Sequence, residues 1–89
     1  MSDLDTQFSD AQTRVKTLSA RPDNNTMLKL YALFKQGSVG DVQGDRPGLM
    51  DFVNRAKYDA WAEQKGTTQD EAKQQYIALV DDLKAKDQG

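Results

Sequence analysis

Lysine and tyrosine carry the chemistry this sequence offers. Lys57 lies one helical turn from both Val53 and Trp61, which sets an ammonium inside an apolar stripe, and lysine is rarely fully buried without a partner. Position alone favours a side chain that snorkels past the edge of the core; the sharper reading is a cation waiting for an anionic ligand. Tyr31 and Lys35 stand four apart on a second stretch and are neighbours on its surface. A ring beside an ammonium suits a ligand with both a flat base and a phosphate. Aromatic rings stack on bases for about 1–3 kcal/mol each, and lysine acts as a point charge toward phosphate. Tyr76 adds a phenol to the inner stripe of a later stretch, and Lys16 adjoins Val15. Each signal is weak alone, because tyrosines at helical spacing are more often core residues with a wetted hydroxyl.

Other chemistries are excluded by what is missing. The 89 residues include no histidine and no cysteine, which removes disulfides, thiolate nucleophiles, thiolate zinc sites, imidazole bases and the Ser-His-Asp triad. An enzyme using Lys57 as a desolvated base would lack a second acid or base to complete it. The glycines at 37, 40, 44 and 48 have no preceding strand and no following Lys-Ser or Lys-Thr, so no phosphate-binding P-loop is present. Asp70-Glu71 and Asp81-Asp82 read as solvated helix charges, not a calcium loop. No catalytic residue, metal or cofactor is expected.

Charge narrows the partners. Twelve Lys+Arg against 14 Asp+Glu give a net charge of -2, unlike the basic domains that bind nucleic acid. The sum conceals an uneven distribution: residues 11 to 65 hold nine bases and six acids, between acidic ends. That pattern suggests a localised anion site, although charges scattered for solubility would look similar. The opening MSDLDTQFSD is acidic where a secretory signal is basic, and no apolar run approaches the roughly 18 residues of a membrane span. A cytoplasmic monomer with no stable membrane insertion is expected.

Four helical stretches must position these residues. Phe8, Ala11, Val15 and Leu18 form a stripe over residues 5 to 19, ended by Arg21-Pro22. Asp23, Asn24 or Asn25 can cap a second helix reaching Gln36 or Ser38, with Met27, Leu30, Tyr31 and Phe34 on one arc. A third runs from Phe52 to Lys65, turning Val53, Ala56, Ala60 and Trp61 inward and stopping at Gly66. Thr68 to Glu71 match a capping box for a fourth, whose stripe is Ala72, Tyr76, Leu79, Val80 and Leu83 and whose end, KAKDQG, is expected to fray. The connection from Gly37 to Asp51 is long enough, at about 3.3 Å per residue, to run back along a helix. Helices two and three can then lie parallel in an all-α four-helix bundle.

Taken in order, Tyr31-Ala32-Leu33-Phe34-Lys35-Gln36, Val39-Gly40-Asp41, Arg46-Pro47-Gly48, Ala56-Lys57-Tyr58-Asp59-Ala60-Trp61, Lys65-Gly66 and Tyr76-Ile77 resemble the acyl-CoA-binding protein family. The resemblance spans nearly the whole chain, and implies that residues 1–89 form one acyl-CoA-binding domain, an up-down-down-up bundle. It implies a non-catalytic carrier and pool former of long-chain acyl-CoA. By position the family's ligand contacts fall on Lys16, Tyr31, Lys35, Lys57 and Tyr76, and the run Tyr31, Ala32, Leu33, Phe34 and Lys35 lines the nucleotide site. In that family the tyrosine at the position of Tyr31 stacks on adenine, and the lysines at the positions of Lys35 and Lys57 approach the 3'-phosphate of the ribose. Phe34 stands where the family often has a second tyrosine, and Tyr58 where a tryptophan commonly precedes Asp-Ala-Trp. The alternative, from the residues themselves, is a helical interaction module whose aromatic groove receives a partner helix.

Overall fold

The computed structural model describes residues 3–88. Among them are four helices and no strand: α1 (Asp3–Val15), α2 (Asn24–Ser38), α3 (Phe52–Ala62) and α4 (Gln69–Gln88). In space α1 packs on α4, α4 on α2, and α2 on α3. Directions follow from the cross-helix contacts. Lys73 meets Asp5 and Arg14 meets Asp81, each at 2.6 Å, so α1 and α4 run parallel. Gly37 lies against Lys73 and Gly40 near Gln69, so α2 opposes α4. Lys57 Nζ sits 5.4 Å from the Tyr31 ring centre and Lys35 Nζ 4.9 Å from that of Trp61, which makes α3 parallel to α2. The bundle is all-α and up-down-down-up, as the sequence implies.

The main core is built by α1, α2 and α4. Phe8 and Ala11 meet Leu30, Leu33, Ala72, Tyr76 and Val80, all buried; each large apolar side chain so placed contributes about 1.5–3 kcal/mol. Phe8 and Tyr76 meet edge to face, with ring centres 5.2 Å apart. Gly37 permits the close approach of the helices. A Cβ there would fall 3.1 Å from both Lys73 Cγ and the Phe8 ring.

Helix ends differ from the sequence reading in instructive ways. α1 stops at Val15, not residue 19: the Thr17 hydroxyl donates to the Arg14 carbonyl at 2.7 Å, and Lys16 and Thr17 make tightened three-residue bonds instead of continuing the helix. Asp23 is the cap of α2, its carboxylate accepting from Thr26 N–H at 2.7 Å. α3 ends at Ala62, and turns carry the chain to Gly66, whose φ of 93° favours glycine. Thr68 Oγ1 accepts from Glu71 N–H as a capping box requires, but the return bond joins the two side chains. Within the segment expected to fray, Asp87 accepts from Ser19 and Lys84 Nζ donates to Thr17 Oγ1 at 2.9 Å, both partners in the connection after α1; its last residue, Gly89, lies outside the described residues.

The connection from 39 to 51 does run back along α3. Trp61 Nε1 donates to Gly40 O at 2.8 Å and the Tyr58 hydroxyl to Gly44 O at 3.0 Å. Arg46 forks onto Asp59 with bonds of 2.8 and 2.7 Å, and Arg55 reaches Pro47 O. Between Gly40 and Pro47 the partners on α3 pass from Trp61 back to Arg55, which is how the strap allows α2 and α3 to be parallel.

A polar knot around the buried Gln36 amide closes the far end. Gln36, 1% exposed, donates from Nε2 to Thr67 O at 2.7 Å and to Asp41 Oδ1 at 2.9 Å. Asp41 also accepts from Gly66 N–H at 3.0 Å. That backbone bond, with the Gln36 amide next, holds the Asp41 carboxyl below its ordinary value of 3.8. A carboxylate depressed in the folded state contributes stability above pH 3.8 and loses it as pH falls through its folded pKa. In urea unfolding, the stability gap between wild type and Asp41→Asn is therefore full at neutral pH and narrows in acid. A gap independent of pH would refute the assignment.

Candidate functional site

A groove of about 980 Å³ opens beside the α2–α3 pair. Leu30 and Phe34 of α2 and Tyr76 of α4 form its inner surface. Met27, Leu28 and Tyr31 continue along α2, Phe52, Val53, Ala56 and Lys57 form the α3 wall, and Val15, Leu18 and Pro22 come from the end of α1 and the connection after it. The lining is dominantly apolar, with cations placed along it: Lys16, Arg21 and Lys57.

The groove cations carry no carboxylate counter-ion, a state they share with Lys29, Lys35, Arg55, Lys65 and Lys84 among the described residues. Arg14, Arg46, Lys73 and Lys86 each lie within 4.0 Å of a carboxylate, whereas Lys16, Arg21 and Lys57 pair with no carboxylate among the described residues. Among the described residues Arg21 donates to the Asn24 side-chain carbonyl, at 3.3 Å. Lys57 rests its ammonium over the face of Tyr31, an arrangement that keeps both groups at the groove without neutralising the charge. Tyr76 is buried on its ring, and desolvation pushes its phenol above the ordinary value of 10.0. It stays a neutral hydrogen-bonding group at neutral pH. Its hydroxyl bonds to no described residue.

The structure sorts the expected site residues into three groups. Lys16, Tyr31, Phe34, Lys57 and Tyr76 line the groove together. Lys35 is half-buried on the α2–α3 seam with its ammonium over Trp61. Ala32 and Leu33 are 2% and 0% exposed and do not line the groove; Leu33 belongs to the main core. Their consecutive numbers put them on the opposite side of α2 from Tyr31 and Phe34. Sequence reasoning missed Arg21, Leu18 and Phe52 as lining residues. Leu18 was assigned to a helical stripe and Arg21 to a stop signal, and neither role hints at a groove. Val53, expected to face inward, is 67% exposed at the groove edge because α3 has only α2 as a helix neighbour.

An apolar trough with unpaired cations along it, cut into a four-helix bundle, has the chemistry that suits an amphipathic anion. Comparison with known proteins gives the family. Residues 5–80 match the family described as Acyl CoA binding protein. The chain is 53% identical over 79 residues to acyl-CoA-binding protein homolog 1 of Caenorhabditis elegans, covering 89% of this chain and 92% of that protein. It is 49% identical over 80 residues to the acyl-CoA-binding protein homolog of Drosophila melanogaster, covering 90% and 93%. The crystal structure of Oryza sativa acyl-CoA-binding protein 2 superposes with a TM-score of 0.89 at 36% identity, covering 93% of this chain and 92% of that one. The chain belongs to the acyl-CoA-binding protein family.

The division between core and groove is measurable without any ligand. Leu33→Ala lowers stability in urea unfolding by about 2–5 kcal/mol, the cost of a cavity in a close-packed core. Lys16→Ala and Arg21→Ala change it by no more than about 0.5 kcal/mol. Comparable losses in all three would contradict the division.

Proposed function

We propose that this chain binds long-chain fatty acyl-CoA thioesters non-covalently, as a cytoplasmic monomer, and carries or pools them without transforming them. The observation that carries this reading is the coincidence, in one groove, of an apolar lining with three cations that lack carboxylate partners among the described residues. An acyl-CoA has the matching two halves. Its tail gains about 0.8 kcal/mol per CH2 taken out of water, so even partial cover contributes several kcal/mol. Its head brings an adenine ring and phosphates.

Tyr31 is the residue best placed for the adenine, since its ring borders the groove and Lys57 holds it from the α3 side. Lys57 and Lys16 are point charges for phosphate oxygens, and binding an anion would relieve the isolation of both. Lys35, on a flexible four-carbon stem, can leave the Trp61 face for the same phosphates. Tyr76 and Phe34 supply ring surface at the inner wall, with one hydroxyl between them. Ala32 and Leu33 act from behind, by packing α2 so that Tyr31 and Phe34 face the ligand. A bound tail would shield the thioester from water, and the chain presents no thiol or imidazole able to attack it. The acyl-CoA-binding relatives to which the chain is similar support this reading over a groove for a partner helix.

Calorimetric titration separates the halves. Palmitoyl-CoA binds tightly, while free CoA and palmitate each bind far more weakly. Tyr31→Ala and Lys57→Ala each weaken the thioester complex at least ten-fold, about 1.4 kcal/mol, with unchanged helicity. No heat with palmitoyl-CoA at micromolar protein would overturn the function, and unaltered affinity in both variants would overturn the site.

A further inference from the structure

Among the described residues, the large apolar side chains exposed by two-thirds or more are Leu49, Met50, Phe52 and Val53, at 72, 86, 72 and 67%. They are nearly consecutive in the chain and project from the turn that starts α3, and Asp51 N–H donates to Gly48 O within that turn at 3.1 Å. Phe52 and Val53 also border the groove; Leu49 and Met50 do not. The exposure is held in place. Arg46 forks onto Asp59, Tyr58 bonds Gly44 O, Arg55 bonds Pro47 O, and Arg55 N–H bonds Asp51 O, so the backbone on both sides of the patch is fastened to α3. A fold that straps its longest connection this firmly leaves four apolar side chains pointing at water.

We propose that Leu49 and Met50, with Phe52 and Val53 behind them, form a wedge that docks the chain on an anionic lipid surface, bringing the groove mouth to the membrane from which acyl-CoA is taken. The inference rests on the acyl-CoA reading of the groove. Two observations select a lipid surface over a second copy or a partner protein. First, four side chains fall well short of the roughly 20–30 residues a side that a stable protein interface uses, whereas a small apolar wedge beside cations is enough for shallow, reversible insertion between headgroups. Second, the charge fits. The groove that adjoins the wedge carries Lys16, Arg21 and Lys57 without carboxylate partners among the described residues, and Arg55 lies one turn into α3. The acids of the same stretch are Asp45 and Asp51; Asp51 takes a bond from Asn54 at 3.1 Å, and Asp59 is matched by Arg46. Lys16 and Arg21, the exposed cations of the adjoining groove, are drawn to anionic headgroups. The tail of a membrane-held acyl-CoA would then pass from bilayer to the Phe52 and Val53 edge of the groove without crossing open water.

The test is the rate at which the chain extracts palmitoyl-CoA from vesicles of phosphatidylcholine and phosphatidylserine, as a function of protein concentration. Transfer by docking makes the rate constant rise with protein; transfer through water holds it at the spontaneous desorption rate. The wild type is expected to show the rise, and the double variant Leu49→Ser/Met50→Ser to lose it, slowing extraction by about five-fold or more. The variant's calorimetric affinity for palmitoyl-CoA without vesicles stays within about two-fold of wild type, since neither residue lines the groove. A wild-type rate independent of protein, a variant as fast as wild type, or a parallel loss of affinity in solution would each overturn the wedge. Failure of the wild type to bind palmitoyl-CoA in solution would instead overturn the function on which it rests. Flotation of ligand-free protein on the same vesicles reads docking even then: binding lost in the double variant supports the wedge, and no difference overturns it.

Discussion

The parallel pairing of α2 and α3 is the constraint on which the site depends. Two consecutive helices joined by a short turn would run antiparallel, and Tyr31 would face the wrong end of α3. Here the connection is strapped along α3 by Trp61, Tyr58 and the Arg46–Asp59 fork, and so returns the chain to the start of α2 before α3 begins. In that register Tyr31 meets Lys57, and Lys35 meets Trp61. A ring and a cation from different helices are thereby set at one groove. Neither helix alone could place both.

The same arrangement divides labour among the helices. α1, α2 and α4 hold the main core, with Leu33 and Val80 fully buried. α3 contributes Trp61 to its seam with α2 and otherwise stays half-buried or exposed. Stability is concentrated where no ligand is needed, and the side of α3 that a third helix would ordinarily cover borders the groove instead. The polar knot of Gln36, Asp41, Gly66 and Thr67 links the end of α2 to the turn before α4, fixing the closed end of the parallel pair.

Much of this was legible in the sequence, for reasons that differ by residue. Lys57 stood out because an ammonium inside an apolar stripe violates the periodicity around it, and Tyr31 because it sat on the α2 arc one turn from a lysine. The length of the connection, judged against the rise of a helix, allowed the parallel pairing that the family resemblance implied. Val53 was misjudged because periodicity reports which face is apolar but not whether a neighbour covers it. Ala32 and Leu33 came as part of a contiguous motif, although consecutive residues on a helix point to different sides. Arg21 escaped notice since it lies between helices, and the Asp59 and Gly44 anchors of the strap depend on tertiary contacts that no local pattern encodes.

The central claim is that one groove, bounded by α2, α3 and the residues after α1, receives both halves of an acyl-CoA. Backbone amide shifts followed by NMR during titration with palmitoyl-CoA test it most directly. The account predicts the largest changes at Lys16, Arg21, Tyr31, Phe34, Lys57 and Tyr76, with little change on the outer α1–α4 surface around Gln7, Gln74 and Ala78. Changes centred on that outer surface, with the groove residues unmoved, would contradict it.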